Sequence, residues 1–275
     1  MSTATSAAPS TRTRPVSIMT QPESQQVPGA FDGGRITERK PIGFPHERGG
    51  LRSVGPLFYW AWARSNERGT IALHPHQGFE ILSYVLQGEL NHRDTLGNQS
   101  KVGVGGIQYQ QAGSGLSHEE ITGPERTDFF QIWFQPDLEA ALKRQPVYGE
   151  HAHDEFAVNV EDGVHTKTLL GAGSPIELAT EAEMVDVTVK PGGAFRLEIE
   201  PREAFAMVTV DGKGIWSPKA GDIELDPVSS LVSKGDSTLV TSREVAELEL
   251  RPTDNEPLRF VAVRVPLEPP YPLYR

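Results

Sequence analysis

The chain contains no cysteine in 275 residues. Disulfides and thiolate metal sites are therefore excluded, and any metal must be held by His, Asp or Glu. Positive charge is also scarce: 26 Lys and Arg stand against 37 Asp and Glu, a net charge of −11. A protein that grips a phosphate backbone needs a basic face, so no direct nucleic-acid binding is expected. No apolar run approaches the ~20 residues of a membrane-spanning helix. The first residues lack the apolar stretch of a secretory signal, and a cytoplasmic protein with no membrane contact is the expectation. Histidines number only 8, which makes their spacing informative.

What is present reads as β structure. Residues 1–30 are rich in Ser, Thr, Ala, Pro and Gln and are expected to form a disordered tail. Leu57-Phe58-Tyr59-Trp60-Ala61-Trp62 reads as a strand. Alternation puts Phe58, Trp60 and Trp62 on one face and Leu57 and Tyr59 on the other. Ile81 to Leu86 is a buried strand, and Glu89 to Asp94 turns back across Leu96-Gly97-Asn98. Phe129 to Gln135 is stopped by Pro136, and Asp137 is placed to cap a short helical piece. Strand signals resume at Val164 to Gly171, Met184 to Val189, Phe195 to Ile199, Phe205 to Val210 and Leu258 to Val265. The second half thus repeats the rhythm of the first. The expected fold class is all-β, two jelly-roll barrels with short helices, over residues 31–150 and 151–275.

The chemistry concentrates in the first half. His74 and His76, in Leu73-His74-Pro75-His76-Gln77-Gly78-Phe79-Glu80, are two positions apart, so on an extended strand both side chains leave the same face. His118 and Glu120 repeat that spacing. Three imidazoles and one carboxylate on two strands of one barrel make a nitrogen and oxygen site suited to a first-row transition metal. His151-Ala152-His153 copies the spacing but lies among Gly149, Glu150, Asp154 and Glu155, and reads as a solvated loop. His92 reads as a hydrogen-bonded structural histidine, and His46 and His165 are isolated. The second half has no paired ligand set, so only the first barrel is expected to hold metal.

At these residues the sequence resembles the pirin family, two-domain members of the cupin superfamily. The resemblance is densest in His74 to Glu80, Tyr84-Val85-Leu86-Gln87-Gly88, His92-Arg93-Asp94 and Ala112-Gly113-Ser114-Gly115 running to His118 and Glu120. It covers roughly residues 55 to 265, and implies two cupin-type barrels with one mononuclear metal held by His74, His76, His118 and Glu120. Iron(II) is the usual metal of the family, although such a donor set also accepts Cu, Ni, Co, Mn or Zn. In cupins more widely the carboxylate comes from the first motif, which makes Glu80 the alternative to Glu120.

The resemblance further implies a quercetin dioxygenase activity on a small aromatic or enol substrate with O2. Glu120 would accept the flavonol hydroxyl proton, and Phe79 and Tyr109 would line the pocket. A regulatory alternative comes from animal relatives described as iron-sensing nuclear coregulators; the acidic balance allows a protein partner of that kind. Two departures bear on the substrate. Gly105-Gly106 and Tyr109 stand where the family has Gly-Asp and Trp, and a Pro-rich segment from Pro266 to Pro272 replaces the longer ending.

Overall fold

Short runs of alternating burial, separated by glycine turns, give this chain 22 strands among the described residues and one short α-helix. A computed structural model describes residues 15–44, 46–219 and 230–274. The first strands are β1 (Val16–Gln21), β2 (Val27–Phe31), β3 (Ile36–Ile42), β4 (Leu57–Ser65), β5 (Thr70–His76) and β6 (Glu80–Gln87). They are followed by β7 (Glu89–Asp94), β8 (Gln99–Gly103), β9 (Ile107–Gln111), β10 (Leu116–Thr122) and β11 (Thr127–Phe134). A single turn, α1 (Leu138–Ala141), has Asp137 as its cap, accepting from the amides of Glu139 and Ala140, and leads to β12 (Val147–His151). The second half runs β13 (Val158–Glu161), β14 (Val164–Leu170), β15 (Glu183–Val189), β16 (Phe195–Ile199) and β17 (Glu203–Asp211). It ends with β18 (Lys213–Pro218), β19 (Leu231–Ser233), β20 (Ser237–Ser242), β21 (Ala246–Pro252) and β22 (Leu258–Pro266). No helix among the described residues is long and apolar enough to cross a membrane.

The strands form two barrels of the same design. Each pairs a seven-stranded sheet with a four-stranded one. The large sheets run β12-β9-β6-β11-β4-β3-β2 and β1-β20-β17-β22-β15-β14-β13, and the small ones β5-β10-β7-β8 and β16-β21-β18-β19. Read position by position, the two orders are one topology used twice. The edge place that β12 fills beside β9 in the first barrel is filled in the second by β1, which pairs antiparallel with β20 from Val16 opposite Ser242 to Gln21 opposite Ser237. The reading of 1–30 as a disordered tail is therefore corrected for residues 16–30. Composition counted the polar residues there, but the sheet edges of β20, for residues 16–21, and of β3, for residues 27–30, supply backbone partners. Residues 1–14 lie outside the described residues.

The large sheets meet back to back. Trp60, Trp62, Leu82, Tyr84, Phe130, Ile132 and Phe134 of the first pack with Ala204, Ala206, Val208, Val261, Val263 and Val265 of the second in one apolar cluster. Strands β6 and β11 are thus buried on both faces, which is why their sequences are almost continuously apolar. The alternation expected for β4 breaks at Phe58. A register shift beside Trp133 brings Leu57, not Phe58, into the cluster with Trp60 and Trp62, while Phe58 packs on Phe79 at 4.7 Å. Polar clasps cross the same interface. Tyr84 donates to Asp186 at 2.6 Å, and Arg259 grips Asp186 through two nitrogens at 2.7 and 3.1 Å.

Removing residues 1–21 should therefore destabilise the second barrel. Val16 is 3% exposed, and loss of its burial alone corresponds to about 1.5 kcal/mol or more. Calorimetry is expected to show the thermal midpoint falling by about 3 °C or more; an unchanged midpoint would mean that β1 contributes nothing to the fold.

Candidate metal centre

The site is set by an irregularity in β5. His76 lies opposite Leu116 and His74 opposite His118, but Ile71, not Ala72, lies opposite Glu120. Two residues of β5, Ala72 and Leu73, thus face the single Glu119, which is a β-bulge. Counting by twos from buried Ile71 would bring Leu73 and Pro75 inward. The extra residue changes the parity, leaving Leu73 60% exposed and turning His74 and His76 toward the barrel interior. The bulge also fixes a tautomer. His74 Nδ1 lies 2.8 Å from the Ala72 carbonyl, which can only accept, so Nδ1 carries the proton and Nε2 keeps its lone pair.

The three imidazoles converge. His118 Nε2 lies 3.0 Å from His76 Nε2 and 3.1 Å from His74 Nε2. One proton on His118 Nε2 can satisfy at most one of those contacts; the other presses like against like unless a cation joins them. Metal–nitrogen bonds of about 2.1 Å meeting at right angles put the nitrogens about 3.0 Å apart, whereas tetrahedral angles would put them about 3.4 Å apart. The two spacings at His118 therefore match right-angle bonds better than tetrahedral ones. Burial, reinforced by the neighbouring imidazoles, lowers the pKa of His76 and of His118 to about 3. Both rings are neutral at physiological pH, with lone pairs free for a metal.

Among the described residues His74, His76 and His118 are the only cluster of three or more groups with metal-ligand spacing. Glu120 is not brought into that cluster. It is wholly buried and close enough to His76 to act on its charge, but its carboxylate is held elsewhere. Oε1 accepts from the Ser83 hydroxyl at 2.7 Å and from Gln108 Nε2 at 2.9 Å, and Oε2 accepts from Gln131 Nε2. Glu80 is further from the role considered for it. Its carboxylate accepts from Gln111 Nε2 and from the backbone amides of Ala179 and Thr180, at 2.6, 2.6 and 3.0 Å, and so ties the two halves of the chain together.

His92 is structural. Its Nε2 lies 3.0 Å from Asp94, whose carboxylate also accepts from the amides of Leu96 and Asn98 and so fixes the β7–β8 turn. The ring stacks on Tyr148 at 4.0 Å. The loop reading of His151-Ala152-His153 is corrected for His151 alone, which ends β12 paired opposite Ile107. Ala152 and His153 are exposed as expected, and His153 Nδ1 receives Lys167 Nζ at 2.8 Å.

Tyr109 lies with its ring parallel to His151, 6.1 Å away, and Phe79 packs on Phe58. The sequence reading missed the aromatic residue nearest the cluster: Trp133 sets its ring edge-on against His76 at 4.8 Å and gathers Phe44, Phe58 and Tyr59 around it. Its alternation with Phe134 was the available signal, since it marks Trp133 as facing the barrel and Phe134 as facing away. On the solvent side an open depression of about 580 Å³ reaches His76 between Pro75, Gln77, Thr95, Ser114 and Leu116.

Comparison with known proteins bears on the family and the fold. Residues 60–134 match the Pirin family. Pirin-like protein 2 of Arabidopsis thaliana is 30% identical over 146 residues, 51% of this chain and 45% of that protein. The chain thus spans about half the length of the first curated relatives it matches. Among solved structures, the bacterial pirin YhhW of Escherichia coli in complex with nickel(II) superposes with a TM-score of 0.73 at 19% identity, over 91% of this chain and 99% of that one. Quercetin 2,3-dioxygenase from Acinetobacter baumannii gives a TM-score of 0.73 at 18% identity, over 94% and 82%. At these identities the superpositions establish the fold, two cupin-type barrels in one chain.

The depressed histidines make a prediction about the metal-free protein. In the unfolded chain they bind protons below about pH 6.5, whereas in the folded chain they do so only below about pH 3. Between those values the unfolded state binds more protons, so stability falls as pH falls. At pH 5.5 the pair should cost roughly 3 kcal/mol relative to pH 7.5. Urea unfolding in the presence of a chelator should show that loss, and a His76→Gln/His118→Gln double variant should flatten it; equal slopes in the two proteins would refute the assignment.

Proposed function

We propose that this chain, whose residues 60–134 match the Pirin family, is a mononuclear metal-dependent dioxygenase. Its substrate would be a flavonol such as quercetin, or a related chelating enol or catechol, opened with O2. The observation that carries this reading is the corner of three imidazole nitrogens, 3.0 and 3.1 Å apart, beside an open depression. Three imidazole donors on a six-coordinate ion leave positions for two reactants, which suits oxygen chemistry better than a closed structural site. The metal we propose is iron(II), with Cu, Ni, Co, Mn or Zn accepted by the same donors.

His74, His76 and His118 would hold the ion through Nε2. When bound, such an ion supplies Lewis acidity and one-electron chemistry toward dioxygen. Glu120 is proposed as the fourth donor and as the acceptor of the substrate's hydroxyl proton. Of its two oxygens, Oε1 already accepts two hydrogen bonds and Oε2 only one. Oε2 therefore keeps a lone-pair direction for either role. Ser83, Gln108 and Gln131 orient the carboxylate, so the proton would be taken at a fixed place. Trp133, edge-on to His76 and half-buried, offers an aromatic wall for a flat substrate.

Oxygen uptake tests the reading. The iron(II)-loaded protein should consume O2 with quercetin or with smaller catechols, and a chelator should abolish the uptake reversibly. Glu120→Gln should keep three of four donors and lower turnover about 100-fold or more. Stoichiometric metal without uptake across that substrate panel would overturn the proposal.

A further inference from the structure

Behind His118, away from the other two imidazoles, lies a cavity of about 10 Å³ whose polar lining includes His118, His92, Gln108, Gln110, Ser83 and Tyr148, beside Ile81 and Tyr109. That is room for about one water molecule. Five polar atoms of four of these side chains have no hydrogen-bond partner among the described residues: His118 Nδ1, His92 Nδ1, Gln108 Oε1 and both amide atoms of Gln110. The four residues are deeply buried, at 1, 2, 3 and 2% exposure in that order. Buried polar atoms of native proteins are almost always satisfied, by protein or by ordered water. So many unpaired atoms around one water-sized space mark it as a built site.

We propose that this cavity holds one ordered water that bridges His118 Nδ1 to His92 Nδ1, with Gln108 and Gln110 completing its shell, and that Gln110 is a positioning residue for His118. The inference rests on His118 serving as a metal donor through Nε2. The hydrogen bonds assign themselves. His92 Nε2 lies 3.0 Å from the Asp94 carboxylate and must donate to it, so the neutral ring presents Nδ1 as an acceptor. His118, with its Nε2 lone pair turned to the cluster, presents Nδ1–H as a donor. A water between them accepts from His118 Nδ1–H and Gln110 Nε2–H and donates to His92 Nδ1 and Gln108 Oε1. Those four bonds are the full complement of a water molecule.

The result is a continuous line from the metal corner through His118, the water and His92 to Asp94, which is pinned by the amides of Leu96 and Asn98. Such a line holds the His118 ring in one tautomer and one orientation before any metal arrives. Gln108 joins it to the carboxylate as well, because its Nε2 donates to Glu120.

The test uses the full chain, with Gln110→Met as a variant of similar size that cannot hold the water. A high-resolution crystal structure of the metal-free protein should show the water within hydrogen-bond reach of both Nδ1 atoms, and the variant should lack it. Imidazole nitrogen NMR of the metal-free protein should place the His118 proton on Nδ1, and the variant should show mixed tautomers. Competition with a chelator should show nickel(II) binding weakened about 10-fold to 100-fold in the variant, with the metal-free melting temperature little changed. A dry cavity, a His118 proton on Nε2, or unchanged nickel affinity in a folded variant would each overturn the inference. If Gln110→Met does not fold, the wild-type water and tautomer still decide. Those two readouts need neither metal nor turnover, so a failure of the dioxygenase reading would leave them standing.

Discussion

Three imidazole nitrogens held 3.0 and 3.1 Å apart in a buried corner repel unless something positive sits between them. The first barrel is arranged around that unfavourable contact. The bulge at Ala72 and Leu73 turns two of the rings inward, and the Ala72 carbonyl leaves the His74 lone pair facing its neighbours. Burial keeps His76 and His118 unprotonated, removing the alternative of relieving the contact by taking up protons that would themselves repel. Such a corner is stable only as far as the surrounding sheet refuses to relax.

The second barrel shows what the same topology does without that demand. Strands β16, β21 and β18 occupy the places of β5, β10 and β7, and they turn Leu197, Leu248, Leu250 and Trp216 into a continuous apolar core. The first barrel instead divides its interior. One end is apolar, with Ile36, Val85, Leu90, Val102 and Phe129; the other carries the histidines, Glu120 and three glutamines. Buried polar groups are unfavourable unless every one is paired. The apolar contact between the two large sheets offsets this weaker core, and it buries Trp60, Trp62, Tyr84, Phe130 and Phe134.

Much of this was legible in the sequence. The strand rhythm gave two similar β halves, and the two-apart spacing of His74 with His76 identified the inward pair. Yet that parity holds only from His74 onward; counted from Ile71 it fails, because a bulge leaves no mark in composition. Glu80 was a fair alternative carboxylate by parity with His76, but its partners are the amides of Ala179 and Thr180, about a hundred residues away. β1 was invisible for the same reason. A polar segment can be told from a disordered one only when the edge it will pair with is known, and β20 lies at the other end of the chain. Trp133 read as one more apolar strand residue, since sequence shows which face a side chain takes but not what waits there.

The double-sided strands explain why the second barrel is needed at all. Ser83 and Gln131, which hold the Glu120 carboxylate, sit on β6 and β11, the central strands of the first large sheet. Their sequence neighbours Leu82, Tyr84, Phe130 and Ile132 point the other way, into the contact between the sheets. Any slip of β6 along that contact would move Ser83 with it, and such a slip is opposed by the Tyr84 hydroxyl on Asp186 and by Glu80 on the Ala179 and Thr180 amides. The carboxylate is therefore placed from behind, by a barrel in which the described residues hold no comparable ligand cluster. Packing between the barrels and geometry at the metal corner are two faces of the same strands.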